Sequence, residues 1–257
     1  MPVPVFTLHT PCVSLRPYIS HYWVARGCGC FDTLTFPLGC TQILFHRGTR
    51  FRISELNVTH PRLTVSGQVD FPAHVAADGD IDTIAIVFRP HTIGTFIGTS
   101  PQLFYNMEID GTALGNPALN HLADTIFSQP DSGRCIGLIE RWLLSSLDSM
   151  DLREFHRIGA SVDALASNPN NTVSALAGQA CLGVRQFNRL FRHHVGMAPK
   201  EYASVVRFHK SLQLLRHGDA TLAGVAAGAG YADQSHFVRE CRRFSGLTPG
   251  ALRAFGE

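Results

Sequence analysis

The chain has 257 residues, 45% hydrophobic and 16% charged, with a net charge of +2. This length suits one large domain or two ordinary ones, and the composition supplies a core and argues against disorder. No apolar run reaches the roughly 18 residues of a membrane helix, and Met1-Pro2-Val3-Pro4-Val5 lacks a basic-then-apolar signal pattern. The seven cysteines, an odd number, read as reduced cytosolic thiols rather than a disulfide framework. The expectation is a cytoplasmic protein, not a secreted, membrane-spanning or fibrous one.

The charge is unevenly spread. Residues 1–154 carry ten basic against fourteen acidic side chains, net −4, and residues 155–257 carry twelve against six, net +6. A basic back half joined to a mildly acidic front half suggests that the back half meets a polyanion.

In chain order, the first 110 or so residues read mostly as strands, at 42–46, 51–53, 63–66 and 81–88, separated by Gly, Pro and Asp clusters. Ile84-Ala85-Ile86-Val87-Phe88 is a continuous apolar run stopped by Arg89-Pro90, the pattern of a strand buried on both faces. Short strands with turn signals between them predict a small barrel or sandwich. From about Pro117 the period changes. Leu119, Leu122, Ala123, Ile126 and Phe127 mark one amphipathic helix, and Ile136, Ile139, Leu143 and Leu147 a second. Ser167-Asn168-Pro169-Asn170-Asn171 forms a break, beyond which nearly everything is helical.

The back half contains an internal repeat, 172–199 and 221–249. Thr172/Thr221, Leu176/Val225, Ala177/Ala226 and Ala180/Ala229 align at one offset. Phe187/Phe237, Arg189/Arg239, Arg192/Arg242, Gly196/Gly246 and Pro199/Pro249 align at an offset one residue longer. An insertion belongs in a turn, so each copy reads as helix–turn–helix. Thr172 and Thr221 suit helix N-caps, Gly230 the positive-φ position of a tight turn, and Gly196 and Gly246 the helix ends. A connecting helix over 200–216 carries the apolar stripe Tyr202, Val205, Val206, Leu212 and Leu215.

These residues carry a resemblance. Residues 177–192, the Gly-x-x-Pro after them, Gly230-Tyr231-Ala232-Asp233-Gln234-Ser235-His236-Phe237 and Gly246-Leu247-Thr248-Pro249 with Arg253 resemble the DNA-binding domain of the AraC/XylS family of bacterial transcription regulators. The match runs over 158–255. Two departures are Cys241, where copy one has Phe191, and Glu240, an acidic group on the second reading helix. The resemblance implies two helix–turn–helix units on one chain, each placing its second helix in the major groove. Reading helices about 34 Å apart enter successive grooves on one face of B-DNA. Val184, Arg185, Gln186, Asn188 and Arg189 are assigned to the first reading helix, and Asp233, Gln234, Ser235, His236 and Arg239 to the second. Arg and Gln make bidentate contacts to guanine and adenine edges. Arg192, His193, Arg242 and Arg243 lie a turn later, where phosphate contact is expected.

The front half is similar, at Leu15-Arg16-Pro17-Tyr18-Ile19-Ser20-His21-Tyr22-Trp23 and at shorter motifs, to N-terminal domains of some family members, which implies a sensing or dimerising role. Cys12, Cys28, Cys30 and Cys40 raise an alternative, a metal- or alkylation-responsive sensor or repair protein fused to the same DNA-binding domain. Cys28-x-Cys30 lacks zinc-ligand spacing, and His9, His21, His46, His60, His74 and His91 show no His-x-His pair, so buried thiols and no metal or cofactor are expected. No phosphate loop or nucleophile elbow is present, and no enzyme is expected. The fold class is α+β. A β-rich barrel or sandwich sensing domain with trailing helices (1–152) precedes an all-α domain of two helix–turn–helix units joined by a long helix (155–257). Candidate partners are double-stranded DNA, RNA polymerase, a small-molecule effector and a second copy of the chain; no membrane is expected.

Overall fold

Two long strands organise the front half. The computed structural model describes residues 4–147, 152–216 and 220–255. Strands β1 (Val5–His9), β2 (Ile19–Thr35), β3 (Gln42–His46), β6 (Leu63–Ser66), β7 (Ala73–Phe88) and β8 (Glu108–Asp110) form one antiparallel sheet in the order β1-β2-β7-β3-β6-β8. The short β4 (Arg52–Ile53) and β5 (Val58–Thr59) pair with each other, and β4 also pairs with β7. The strand expected over 81–88 is the second half of β7. The Asp78-Gly79-Asp80 stretch, which reads as a separator, lies inside that strand, because Gly79 sits opposite Gly29 of β2 and both adopt φ +132°. A Cβ on Gly79 would lie 2.6 Å from the Thr49 hydroxyl, so glycine is required there by space as well as by conformation.

The period-2 pattern gives the sheet two apolar faces. Tyr22, Val24, Ile43, Phe45, Ile84 and Ile86 pack against α1 (Ile93–Ile97), α2 (Pro117–Ser128) and α3 (Ser132–Leu147) through Phe96, Leu122, Ile126, Ile139 and Leu143. Their alternating neighbours Trp23, Ala25, Leu44 and Ala85 turn to the other face with Phe31 and Phe51.

The back half is helical: α4 (Leu152–Ser167), α5 (Val173–Gln179), α6 (Val184–Val195), α7 (Pro199–Arg216), α8 (Leu222–Ala229), α9 (Gln234–Ser245) and α10 (Pro249–Ala254). Its core holds Phe187, Phe191, Phe208, Phe237 and Phe244, all fully buried. Cys241 stands in the same core where copy one has Phe191, and burial pushes its thiol up to about 12. Pro199 and Pro249, the residues that end each repeat copy, are the first residues of α7 and α10, where a missing N–H costs nothing.

Candidate nucleic-acid interface

The two helix–turn–helix units are built alike. Thr172 and Thr221 accept from the N–H groups of Ala175 and Gly224 at 3.2 and 3.1 Å, capping α5 and α8. The turns then close on equivalent bonds, Leu182 N–H to Ala177 C=O and Tyr231 N–H to Ala226 C=O, each 2.9 Å. Both turns use a left-handed residue: Gly230 at φ +89° in the second, Cys181 at φ +54° in the first. The inserted residue of copy two follows that position. Leu182 alone separates Cys181 from the α6 cap Gly183, whereas Tyr231 and Ala232 separate Gly230 from the α9 cap Asp233. The insertion falls in the turn, as the repeat requires.

The second helix of each unit exposes a basic face. Val184, Arg185, Gln186, Arg189 and Arg192 are exposed on α6, and Gln234, Ser235, Arg239, Arg242 and Arg243 on or beside α9, while Phe187, Leu190, Phe237 and Cys241 face the core. Three of the residues assigned to base reading are already engaged. Asn188 donates to the Val184 carbonyl one turn back, at 2.8 Å. The Asp233 carboxylate accepts from His236 N–H at 2.7 Å and so caps α9. The His236 ring stands edge-on to Tyr231, 5.2 Å between centroids. Glu240 is turned inward rather than toward a groove. Its side chain is 12% exposed and pairs with Arg207 of α7 at 3.6 Å, which places this negative charge behind the reading face.

The front half grips the trailing ends of both α6 and α9. Ser100 Oγ donates to the His193 carbonyl at 2.8 Å, and Gly196, which ends α6 at φ +94°, lies against Pro101. At the end of α9, Arg243 Nη2 meets Asp70 Oδ2 at 2.5 Å. Asn106 Nδ2 donates to the other oxygen of Asp70 at 2.9 Å. Burial would raise the Asp70 carboxyl, but the bonds from Asn106 and Arg243 outweigh it and hold it below the ordinary aspartate range. On α7, His209 donates through Nε2 to the Pro37 carbonyl, and burial keeps its ring pKa below the usual value.

A helix-turn-helix domain family matches residues 176–254, and a family described as a domain of unknown function (DUF6597) matches residues 7–110. The HTH-type transcriptional activator RhaS of Escherichia fergusonii is 30% identical over 118 residues, 46% of this chain and 42% of that protein. The chain therefore matches less than half the length of that relative. The back half is a helix-turn-helix domain. Among solved structures, the DNA-binding domain of AdpA in complex with a target DNA is 26% identical over 40% of this chain and 90% of that one, with a TM-score of 0.35. ToxT of Vibrio cholerae O395 is 10% identical over 97% of both chains, with a TM-score of 0.45.

Beside the helix-turn-helix domain lies a cavity of about 960 Å³, walled by the sheet on one side and by Tyr202, Val205, Val206 and His209 of α7 on the other. Its apolar surface includes Trp23, Phe31 and Phe51. His60 and Glu108 form a polar floor, with Ser66 Oγ donating to Glu108 Oε1 at 2.9 Å. His60 Nε2 is 3.5 Å from Glu108 Oε2, and His60 Nδ1 is 3.1 Å from His46 Nε2, whose Nδ1 is 3.0 Å from Thr83 Oγ1. Sequence spacing alone hides this row, because its members come from β3, β6, β7, β8 and the turn after β5. Cys28 and Cys30 lie exposed on β2, and burial pushes the Cys40 thiol up to about 12, away from thiolate. Among the described residues no group of three or more His, Cys, Asp or Glu could hold a metal, and no helix is long and apolar enough to cross a membrane.

Proposed function

We propose that the chain is a cytoplasmic, sequence-specific DNA-binding transcription regulator that reads two successive major grooves and is controlled by a small molecule in the front-half cavity. The observation that carries the reading is the pair of helix–turn–helix units fixed on α7, each with an exposed basic second helix. Arg185, Gln186, Arg189, Gln234, Ser235 and Arg239 read base edges; Val184 offers an apolar contact to a thymine methyl. Arg192, Arg242 and Arg243 contact phosphates, which position the protein without specifying sequence. Asn188, Asp233 and His236 set the shape of the reading surface, through their bonds within it, more than they read it.

The relative RhaS is named as a transcriptional activator, which supports activation and contact with RNA polymerase here. The division near residues 152–155 separates the effector-binding half, also the candidate dimerising half, from the DNA-binding half. Coupling between them runs through α7, which is both the connector of the reading units and a wall of the cavity. Selection of bound duplexes from a random pool tests the reading. Two enriched blocks one helical turn apart are expected; no enrichment, or one short block, overturns it.

A further inference from the structure

The cavity floor holds a buried acid whose basic neighbour, His60, is lowered by burial to about 4 and so brings no charge at neutral pH. The Glu108 side chain is 7% exposed, and neither its Oε2 nor the His60 Nε2 3.5 Å away makes a hydrogen bond. The groups that face Glu108 are His60 and Ser66, with His46 behind His60. The cations on the cavity lining, Arg89 and Lys210, are exposed at its rim, and Arg89 already donates to the Arg16 carbonyl. Over the floor stand aromatic rings. Phe51 lies 6.0 Å from His60, with Trp23 stacked on it at 6.4 Å and Phe31 edge-on at 5.5 Å.

A buried carboxyl beside aromatic faces is chemistry for a cation, because the acid supplies charge and acceptors while the rings supply quadrupole and apolar contact. An anionic ligand would meet no cation on the floor, where burial lowers His60 to about 4, and a purely apolar one would leave Oε2 unsatisfied. We infer that the cavity binds an organic amine with an aromatic or branched apolar body, its ammonium donating to Glu108 and its body lying against Trp23, Phe31 and Phe51. This rests on the proposal that the front half takes an effector.

Burial pushes the Glu108 carboxyl up to about 8, so the unliganded acid is mostly protonated at neutral pH. An ammonium arriving from water converts it to carboxylate, and the proton goes to buffer.

The test uses the full chain without DNA, with phenethylamine, phenethyl alcohol and phenylacetate as probes, followed by calorimetry and by Trp23 fluorescence. Phenethylamine is expected to bind at least about tenfold tighter than the other two, because a buried hydrogen-bonding group rejects analogues that cannot satisfy it. Titrations in buffers of different ionisation enthalpy are expected to show about one proton released with the amine and none with the alcohol. Glu108→Gln is expected to abolish both the preference and the proton release. Equal or tighter binding of phenylacetate overturns the inference, as does amine binding without proton release by the unaltered protein, a readout that needs no variant. A DNA mobility shift on the same sample separates the two failures. Loss of DNA binding with amine binding intact sinks the regulator reading alone.

Discussion

Replacing Asp70 with Asn tests whether the contact between the front half and the second reading helix restrains DNA binding. On the proposed phosphate contact of Arg243, association with DNA competes with its pair to Asp70. Its side chains are 46% and 23% exposed, which places its worth in the surface range of about 0.5–1 kcal/mol rather than that of a buried ion pair. The Asn106 bond to Asp70 has a neutral counterpart in Asn, so the loss falls mainly on the Arg243 contact. Asp70→Asn is therefore expected to tighten binding to specific and random DNA alike by about two- to fivefold. Fluorescence anisotropy at fixed salt measures it. Removing a negative charge near DNA also helps generally, so the same change is made in an Arg243→Ala background, where the gain should largely vanish. Arg243→Ala alone should weaken both kinds of DNA about equally and lower the salt slope by about 0.9. Because the Asp70 carboxyl is held below its ordinary range, the contact is complete at neutral pH and is lost only as pH falls through that lowered value. A gain from Asp70→Asn that survives in full without Arg243 would refute the restraint.

Three further outcomes are expected. Arg185→Ala and Arg189→Ala should each cost about 1–3 kcal/mol on the selected operator and little on random duplex, measured by mobility shift; equal losses on both would show phosphate contact instead. Cys181→Gly should stabilise the protein to urea by about 0.5–1 kcal/mol, since Cys181 occupies at φ +54° the left-handed position that Gly230 fills in the second unit; destabilisation would mean that the side chain packs better than the backbone is strained. Glu108 stays protonated in the fold up to about 8, so its contribution erodes stability as pH rises from its unfolded value near 4.5. The advantage of Glu108→Gln over the unaltered protein in melting temperature should accordingly grow between about pH 5 and about pH 8. His46 and His60, lowered by burial to about 3 and about 4, act in the opposite sense and only on the acid side, so a difference that shrank toward pH 8 would exclude Glu108 as its source.

The back half was legible because its physics is local. Caps at Thr172 and Thr221, helix ends at Gly196 and Gly246 and the turn at Gly230 each follow from a residue and its near neighbours, and duplication displays the same rule twice. The front half was legible where strands are short and apolar, as in β3 and β6. It was not in β2 and β7, where Gly29 and Gly79 look like turns until the opposite strand is known. The exposed basic faces of α6 and α9 follow from residue spacing, but the inward turn of Glu240 depends on Arg207 from another helix, which no spacing along α9 announces. The floor at Glu108 is more remote still, since it exists only when separate strands converge.

The helix α7 joins the two helix–turn–helix units as a rod while its flank forms one side of the chamber. On the proposed function, a molecule that wedges against that flank would tilt the ruler by which the two units measure their target. Occupancy would then be written into the tolerated gap between half-sites, and two genes whose promoters differ by a base pair of spacer could answer the same signal in opposite directions.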